Sequence, residues 1–169
     1  ELQNGYQIKR LRSDMGEEYT SLEFNAFCED VGLEKQLTVA YSPQQNEIAK
    51  RKNMTIVEMA KSMMHEKNMP YTFWGEAVNT SVYLLNRCST KPLDKKTPFE
   101  VFSGRKPSVK HLRVFGSVCY TFIPHQLRHK LEKSSNKGVF VGYGTSEKGY
   151  RVCNLSTWKI ILSRDDIFD

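Results

Sequence analysis

Apolar positions along this chain change their period as it proceeds, and each change marks a change of structure. Residues 6–11 alternate loosely between apolar and polar side chains, which predicts a strand ending at Asp14. Thr20 and Glu23 stand at capping-box spacing. They predict a helix with Leu22, Phe24, Phe27 and Val31 on one side and Gly32 as its left-handed stop. Residues 37–40 are rich in β-formers and predict a second strand, broken at Ser42-Pro43 because a residue before proline avoids the helical region. From about 45 to 66 the pattern turns helical. Ile48, Ile56, Met59, Ala60 and Met63 recur at the spacing of one buried helix face. Pro70 suits the first position of a following helix that carries Phe73, Trp74, Ala77, Val78, Tyr83, Leu84 and Leu85. Thr97-Pro98 opens a short helix that Gly104 ends.

After Gly104 the runs become short and β-branched or aromatic. Residues 114–122, 138–143, 149–153 and 159–162 are such runs, separated by Gly, Asn and Ser. Their spacing predicts a small antiparallel barrel. Tyr120, Phe122, Phe140, Tyr143, Tyr150 and Trp158 alternate along these strands and are expected to fill its core rather than form a base-stacking platform. The chain thus divides into an α/β part, 1–104, and an all-β part, 105–169, with a linker near 103–110.

Composition adds little until charge is considered. At 169 residues the chain can hold one medium domain or two small ones, and no apolar run is long enough to suggest a membrane partner. The net charge of +6 is not spread evenly. Positions 105–151 hold ten Lys and Arg against two acids, and the stretches on either side are close to neutral. Such a confined excess points to a polyanion. Cys28, Cys88, Cys119 and Cys153 form no CxxC pair and have no histidine at ligand spacing, so buried reduced thiols are expected and no zinc site. His65, His111, His125 and His129 show no nucleophile or metal partner at motif spacing.

Two segments carry the chemistry. The first is Leu11-Arg12-Ser13-Asp14-Met15-Gly16-Glu17-Glu18-Tyr19, and the second is Tyr41-Ser42-Pro43-Gln44-Gln45-Asn46-Glu47-Ile48-Ala49-Lys50-Arg51-Lys52-Asn53. Together they resemble active-site blocks of copia-type retrotransposon integrases. The likeness continues through Phe73-Trp74-Gly75-Glu76-Ala77-Val78, Tyr83-Leu84-Leu85-Asn86-Arg87, Thr97-Pro98-Phe99-Glu100 and Ser103-Gly104-Arg105-Lys106-Pro107. It extends to His111-Leu112-Arg113-Val114-Phe115-Gly116-Ser117, Val139-Phe140-Val141-Gly142-Tyr143, Lys148-Gly149-Tyr150-Arg151 and Ser163-Arg164-Asp165. The resemblance implies the C-terminal half of an RNase H-like catalytic core followed by an SH3-like module. It also implies DNA as partner, Mg²⁺ or Mn²⁺ as ancestral cofactor, and a nuclear location.

In that family two strand-borne aspartates and one helix-borne glutamate hold a metal pair that steadies the attacking and leaving oxygens of a phosphodiester. Asp14 matches one aspartate. The other would lie before Glu1. Counting the family's 35 intervening residues from Asp14 leads to position 50, where the glutamate is replaced by Lys50. Lysine removes a ligand and adds a positive charge where cations should bind, and its ammonium suits Asp14 as an ion-pair partner. Met15, Glu17 and Glu47 also depart from the family's usual residues. The implied state is a site that no longer binds metal and a chain that is not an enzyme as it stands.

The resemblance and the charge together nominate Lys50, Arg51 and Lys52 on the long helix as phosphate contacts. With them go Arg105, Lys106, Lys110, Arg113, Arg128, Lys130, Lys133, Lys137, Lys148 and Arg151 in the second part. Such contacts bind DNA without choosing sequence. Two other readings stay open. An upstream segment could complete an active integrase, with Glu47 standing in for the missing acid. Alternatively, the chain is an interaction module or relic that self-associates through uncovered apolar surface.

Overall fold

The computed structural model describes residues 5, 7–38, 47–130, 132–144, 148–164 and 166–169. Five sequence expectations lie outside the described residues: the strand start at Tyr6, the strand end at Ala40, the Ser42-Pro43 break, the helix start near Gln45, and Asp165. The chain forms two compact units, Glu1–Thr55 and Ile56–Asp169.

In the first unit, β1 (Arg10–Ser13) and β2 (Glu34–Leu37) pair in parallel from Arg10↔Glu34 to Ser13↔Leu37. A short helix α1 (Glu17–Thr20) and α2 (Leu22–Asp30) connect them. Ser21, not Thr20, caps α2, its hydroxyl accepting from Phe24 N at 3.2 Å. Thr20 is drawn into α1, where its hydroxyl donates to Gly16 O. Gly32 adopts φ +69°, the left-handed stop its position predicts.

β2 begins three residues before the expected run. Its polar sequence is held in register by Arg10 on Glu34 at 2.9 Å and Arg12 on Gln36 at 3.0 Å. The apolar side predicted for α2 is also largely uncovered. Phe24 is half-buried beneath Lys35, whereas Leu22, Phe27 and Val31 are exposed and Cys28 is the buried residue of the helix.

The helix α3 (Glu47–Glu66) begins in the first unit and ends in the second. A 3₁₀ turn (Tyr71–Phe73) after Pro70 leads into α4 (Trp74–Leu85), so the proline caps the turn rather than opening the helix itself. α5 (Pro98–Ser103) is bounded as predicted, with Thr97 Oγ1 accepting from Glu100 N and Gly104 left-handed at φ +69°.

Five antiparallel strands follow: β3 (Val118–Phe122), β4 (Ser135–Tyr143), β5 (Tyr150–Asn154), β6 (Ile160–Ser163) and β7 (Asp166–Phe168). Their order in the sheet is β6-β5-β4-β3-β7. The sheet has two differently covered faces. Cys119, Phe140, Tyr143 and Val152 pack with Tyr150, Ile161 and Phe168 on one. Val141 and Cys153 pack with Ala60 and Met64 of α3, Phe73, Ala77 of α4 and Phe115 on the other. The helices before Gly104 therefore share a core with strands beyond it.

A β-bulge between Phe140 and Gly142 makes this double coverage work. It lets Phe140 and Tyr143 point to the same side although they are three residues apart. It also turns Val141 O toward α4, where the buried Thr80 hydroxyl donates to it at 3.2 Å. Gly142 takes φ +152°, and a Cβ there would meet Thr80 Oγ1 at 2.9 Å, so a side chain is excluded by both strain and space. Cys28, Cys119 and Cys153 are buried as expected, but Cys88 is exposed.

Candidate nucleic-acid interface and the Asp14 strand end

Asp14 directly follows β1. Its half-buried carboxylate accepts from Gly16 N at 3.4 Å, a turn-forming bond that orients it at the strand end. Lys50, Arg51 and Lys52 lie on the first turns of α3, exposed like every other residue from Glu47 to Thr55. That stretch includes Ile48, 79% exposed, and Met54, 61% exposed. A helix of this amphipathic pattern presents such residues to solvent only where no partner covers them.

A magnesium pair needs several oxygen donors in a shared space. Among the described residues no three His, Cys, Asp or Glu side chains converge as metal ligands would. The helix carries the Lys50 ammonium at the position where the family resemblance places a carboxylate.

The basic residues of the second unit divide by what holds them. Arg105, Lys106 and Lys110 are exposed on the segment between α5 and β3, and Lys130 and Lys133 on the β3–β4 connection. Lys137 is exposed on β4 and Lys148 just before β5.

Arg151 is different. It forms a two-pronged ion pair with Glu76 of α4, Nε to Oε2 at 2.8 Å and Nη2 to Oε1 at 2.5 Å. The hydrogen bond to Glu76 holds the guanidinium above its already high pKa against a smaller opposing effect of burial. This arginine fastens β5 to α4, so its fork is not available to phosphate. Arg113 donates to the carbonyls of Lys110 and Leu112 and lies 5.2 Å from the Phe168 ring centre. Arg128 is half-buried 5.4 Å over Phe122, and its Nε is buried without a hydrogen-bond partner. Arg128 and Arg151 are half-buried, whereas Arg113 is exposed and bonded to carbonyls of its own turn, and only the Glu76 pair of Arg151 joins residues far apart in the chain.

The aromatic expectation divides in the same way. Phe140 and Tyr143 are core residues and Tyr150 is half-buried. Tyr120, Phe122 and Trp158 instead stand exposed. On β3 the buried positions are Cys119 and Thr121, so strand alternation sends Tyr120 and Phe122 outward. Trp158 sits in the β5–β6 turn at φ +55°, held by its N–H on Asn154 O. The sequence signal available was the alternation of β3, which puts Tyr120 and Phe122 on one face, and the small Cys119 on the other gave no sign of being the core side.

A cluster that no motif announced lies at the α4 end of the sheet. Tyr83 stacks on Tyr143 at 4.1 Å and its hydroxyl meets His111 Nε2 at 2.7 Å. Arg87 covers the other side of Tyr83 at 3.4 Å, and Tyr150 Oη donates to His111 O. Burial, followed by the charges of Arg87 and Arg113, lowers the His111 pKa below its ordinary 6.5. The unfolded chain therefore takes up a proton before the folded one does. The stability this difference gives is complete above pH 6.5 and is lost as pH falls through the lower folded value. Thermal melts from pH 7.5 down to 5 should show a decline that His111→Gln flattens. An identical decline in the variant would assign the pH response to other groups.

Residues 117–169 match the family described as retroviral polymerase SH3-like domain. The chain is 43% identical over 168 residues to the retrovirus-related Pol polyprotein from transposon TNT 1-94 of Nicotiana tabacum. That match covers 99% of this chain and 13% of the polyprotein, so the chain spans about an eighth of its relative's length. An uncharacterized mitochondrial protein of Arabidopsis thaliana is 32% identical over 90 residues, covering 53% of this chain and 75% of that protein. In fold, the chain is similar to one in the cryoEM structure of the simian T-cell lymphotropic virus intasome in complex with PP2A regulatory subunit B56 gamma. The TM-score is 0.50 and the identity 17%, over 92% of this chain and 57% of that one. The fold is therefore an integrase-type core portion with an SH3-like module.

Proposed function

Because the chain belongs to the retrovirus-related Pol polyproteins of copia-type transposons, in their integrase region, we propose that it binds DNA without sequence choice and no longer joins DNA ends. The observation that carries the second half is Lys50, a cation at the position where the family resemblance calls for a metal-binding glutamate. Two unit charges about 4 Å apart interact by roughly 4 kcal/mol at an effective dielectric of about 20, and a divalent ion feels more. Asp14 alone supplies too few oxygens to overcome that. The first half is supported by the exposed Arg105, Lys106, Lys110, Lys130, Lys133, Lys137 and Lys148 and by the three cations at the start of α3. The exposed Leu22, Phe27, Ile48 and Met54 support self-association through the first unit.

Manganese makes the metal claim testable without relying on turnover. Mn²⁺ should leave the amide NMR signals around Asp14 and Lys50 sharp in the unaltered chain and broaden them in Lys50→Glu. Incubation of the unaltered chain with labelled DNA ends and Mg²⁺ or Mn²⁺ should yield no joined product. Broadening at Asp14 with lysine in place, or any joined product, would overturn the proposal.

A further inference from the structure

The outward face of the β3–β4–β7 portion of the sheet has the composition of a ligand surface, not of a solvated one. Antiparallel partners share a face. Tyr120 is paired with Lys137 on β4 and with Ile167 on β7, and the next outward row pairs Phe122 with Ser135. Tyr120 is 37% exposed, Phe122 54% and Ile167 74%. The helices that cover Val141 and Cys153 on β4 and β5 do not bury this row.

Cations rim it. Lys137 lies in the row itself, Arg128 stacks over Phe122, and Lys130 and Lys133 are on the connection that runs from Phe122 to Ser135. The acids nearby are Glu132, which accepts from His129 N within that connection, Asp169 after β7, and Asp166, which is in register with the inward Thr121. We propose that this face binds single-stranded DNA, its unpaired bases stacking on Tyr120 and Phe122 while Lys137 and the connection lysines hold the phosphates. The inference rests on the DNA binding proposed above and deepens it.

The physical argument is about which part of a base each DNA form can offer. In a duplex both ring faces of a base are covered by its neighbours, and a protein reaches only edges and phosphates. A flat aromatic ring gains from a base only face to face, which requires an unpaired strand. Tyr120 and Phe122 are two residues apart on one strand, so their backbone positions stand about 6.6 Å apart. That is about twice the roughly 3.4 Å spacing along a stacked strand. The pair can therefore accept successive bases of a strand stretched to about twice its stacked spacing, which leaves a face of each base open to a ring. A second copy of the chain is the poorer occupant, since a two-fold contact would bring Lys137 and its neighbouring lysines against themselves.

The full 169-residue chain is to be titrated, by fluorescence anisotropy, with a labelled mixed-sequence oligodeoxynucleotide, single-stranded or annealed to its complement. The Tyr120→Ala/Phe122→Ala variant should lose at least tenfold in affinity for the single strand and stay within about twofold for the duplex. Tyr120→Phe should keep the single-strand affinity. In Phe122→Trp, the indole emission from that position should be quenched by the single strand and unchanged by the duplex.

Equal losses for both DNA forms, or no quenching, would overturn the inference while leaving the duplex-binding reading intact. Failure of the unaltered chain to bind either form would remove both. A dimer that dissociates in Phe122→Ala with single-strand affinity unchanged would assign the face to a second copy and overturn the proposal.

Discussion

Raising monovalent salt from about 50 to about 200 mM is expected to lower the affinity of this chain for duplex DNA by roughly a thousandfold. The expectation follows from counterion release: each phosphate neutralised contributes about −0.9 to the slope of log affinity against log salt. Arg105, Lys106, Lys110, Lys130, Lys133, Lys137 and Lys148 stand exposed, and about six simultaneous contacts give a slope near −5. The same argument separates residues that look alike in sequence. Lys137→Ala should reduce the slope by about one, because an exposed lysine on β4 can reach phosphate.

Arg151→Ala should leave the slope unchanged, because its fork is already closed on Glu76. Its effect should fall on stability instead. Losing the arginine leaves the largely buried Glu76 carboxylate alone, a loss of roughly 1–2 kcal/mol once solvent screening of the one-third-exposed Arg151 side chain is discounted. A salt slope near zero for the unaltered chain would defeat the DNA-binding reading itself. A slope that falls by one in Arg151→Ala would show that the Glu76 pair opens for phosphate.

What the sequence disclosed follows a physical division. Features fixed by neighbours in the chain were legible. Thr97 and Gly104 bound α5 because capping acts within a turn, and Ala60 and Ala77 are buried because a helix repeats its face every few residues. Features made by distant pairing were not. β2 has the polar sequence Glu-Lys-Gln-Leu and exists because β1 lies beside it. β7 has three residues and is defined by its register with β3. Glu76 and Arg151 are 75 positions apart, so nothing local marks either as the other's partner.

The candidate site divides likewise. Asp14 and Lys50 could be singled out by motif and spacing, because the family resemblance supplies the distance between them. The outward turn of Tyr120 and Phe122 needed the sheet. Alternation alone says that they share a face, and only the burial of Cys119 and Thr121 says which face it is.

Phe140→Ala is expected to destabilise the second unit by about 3–5 kcal/mol, a fall of roughly 10 °C or more in melting temperature. Phe140 is fully buried, and its ring meets those of Tyr143, Tyr150 and Phe168 edge-on at 5.1, 5.6 and 5.7 Å. Removing it opens a cavity lined by aromatic residues that are themselves tied down. Tyr150 is hydrogen-bonded to His111 O, Tyr143 is bonded to the Arg113 backbone, and neither can collapse into the space without breaking those bonds. Phe122→Ala deletes the same atoms one residue beyond the inward Thr121, on the opposite face that solvent reaches, and should shift melting by only a small fraction of that. The pair of variants therefore separates fold from ligand contact. Phe140→Ala should weaken binding to single and double strands alike, because it loosens the sheet that carries Lys137 and β3 together. Phe122→Ala should melt normally and lose the single strand selectively. Equal melting shifts in the two variants would mean that the ring on β3 is part of the core after all, and its exposure could then no longer be read as a surface kept for DNA.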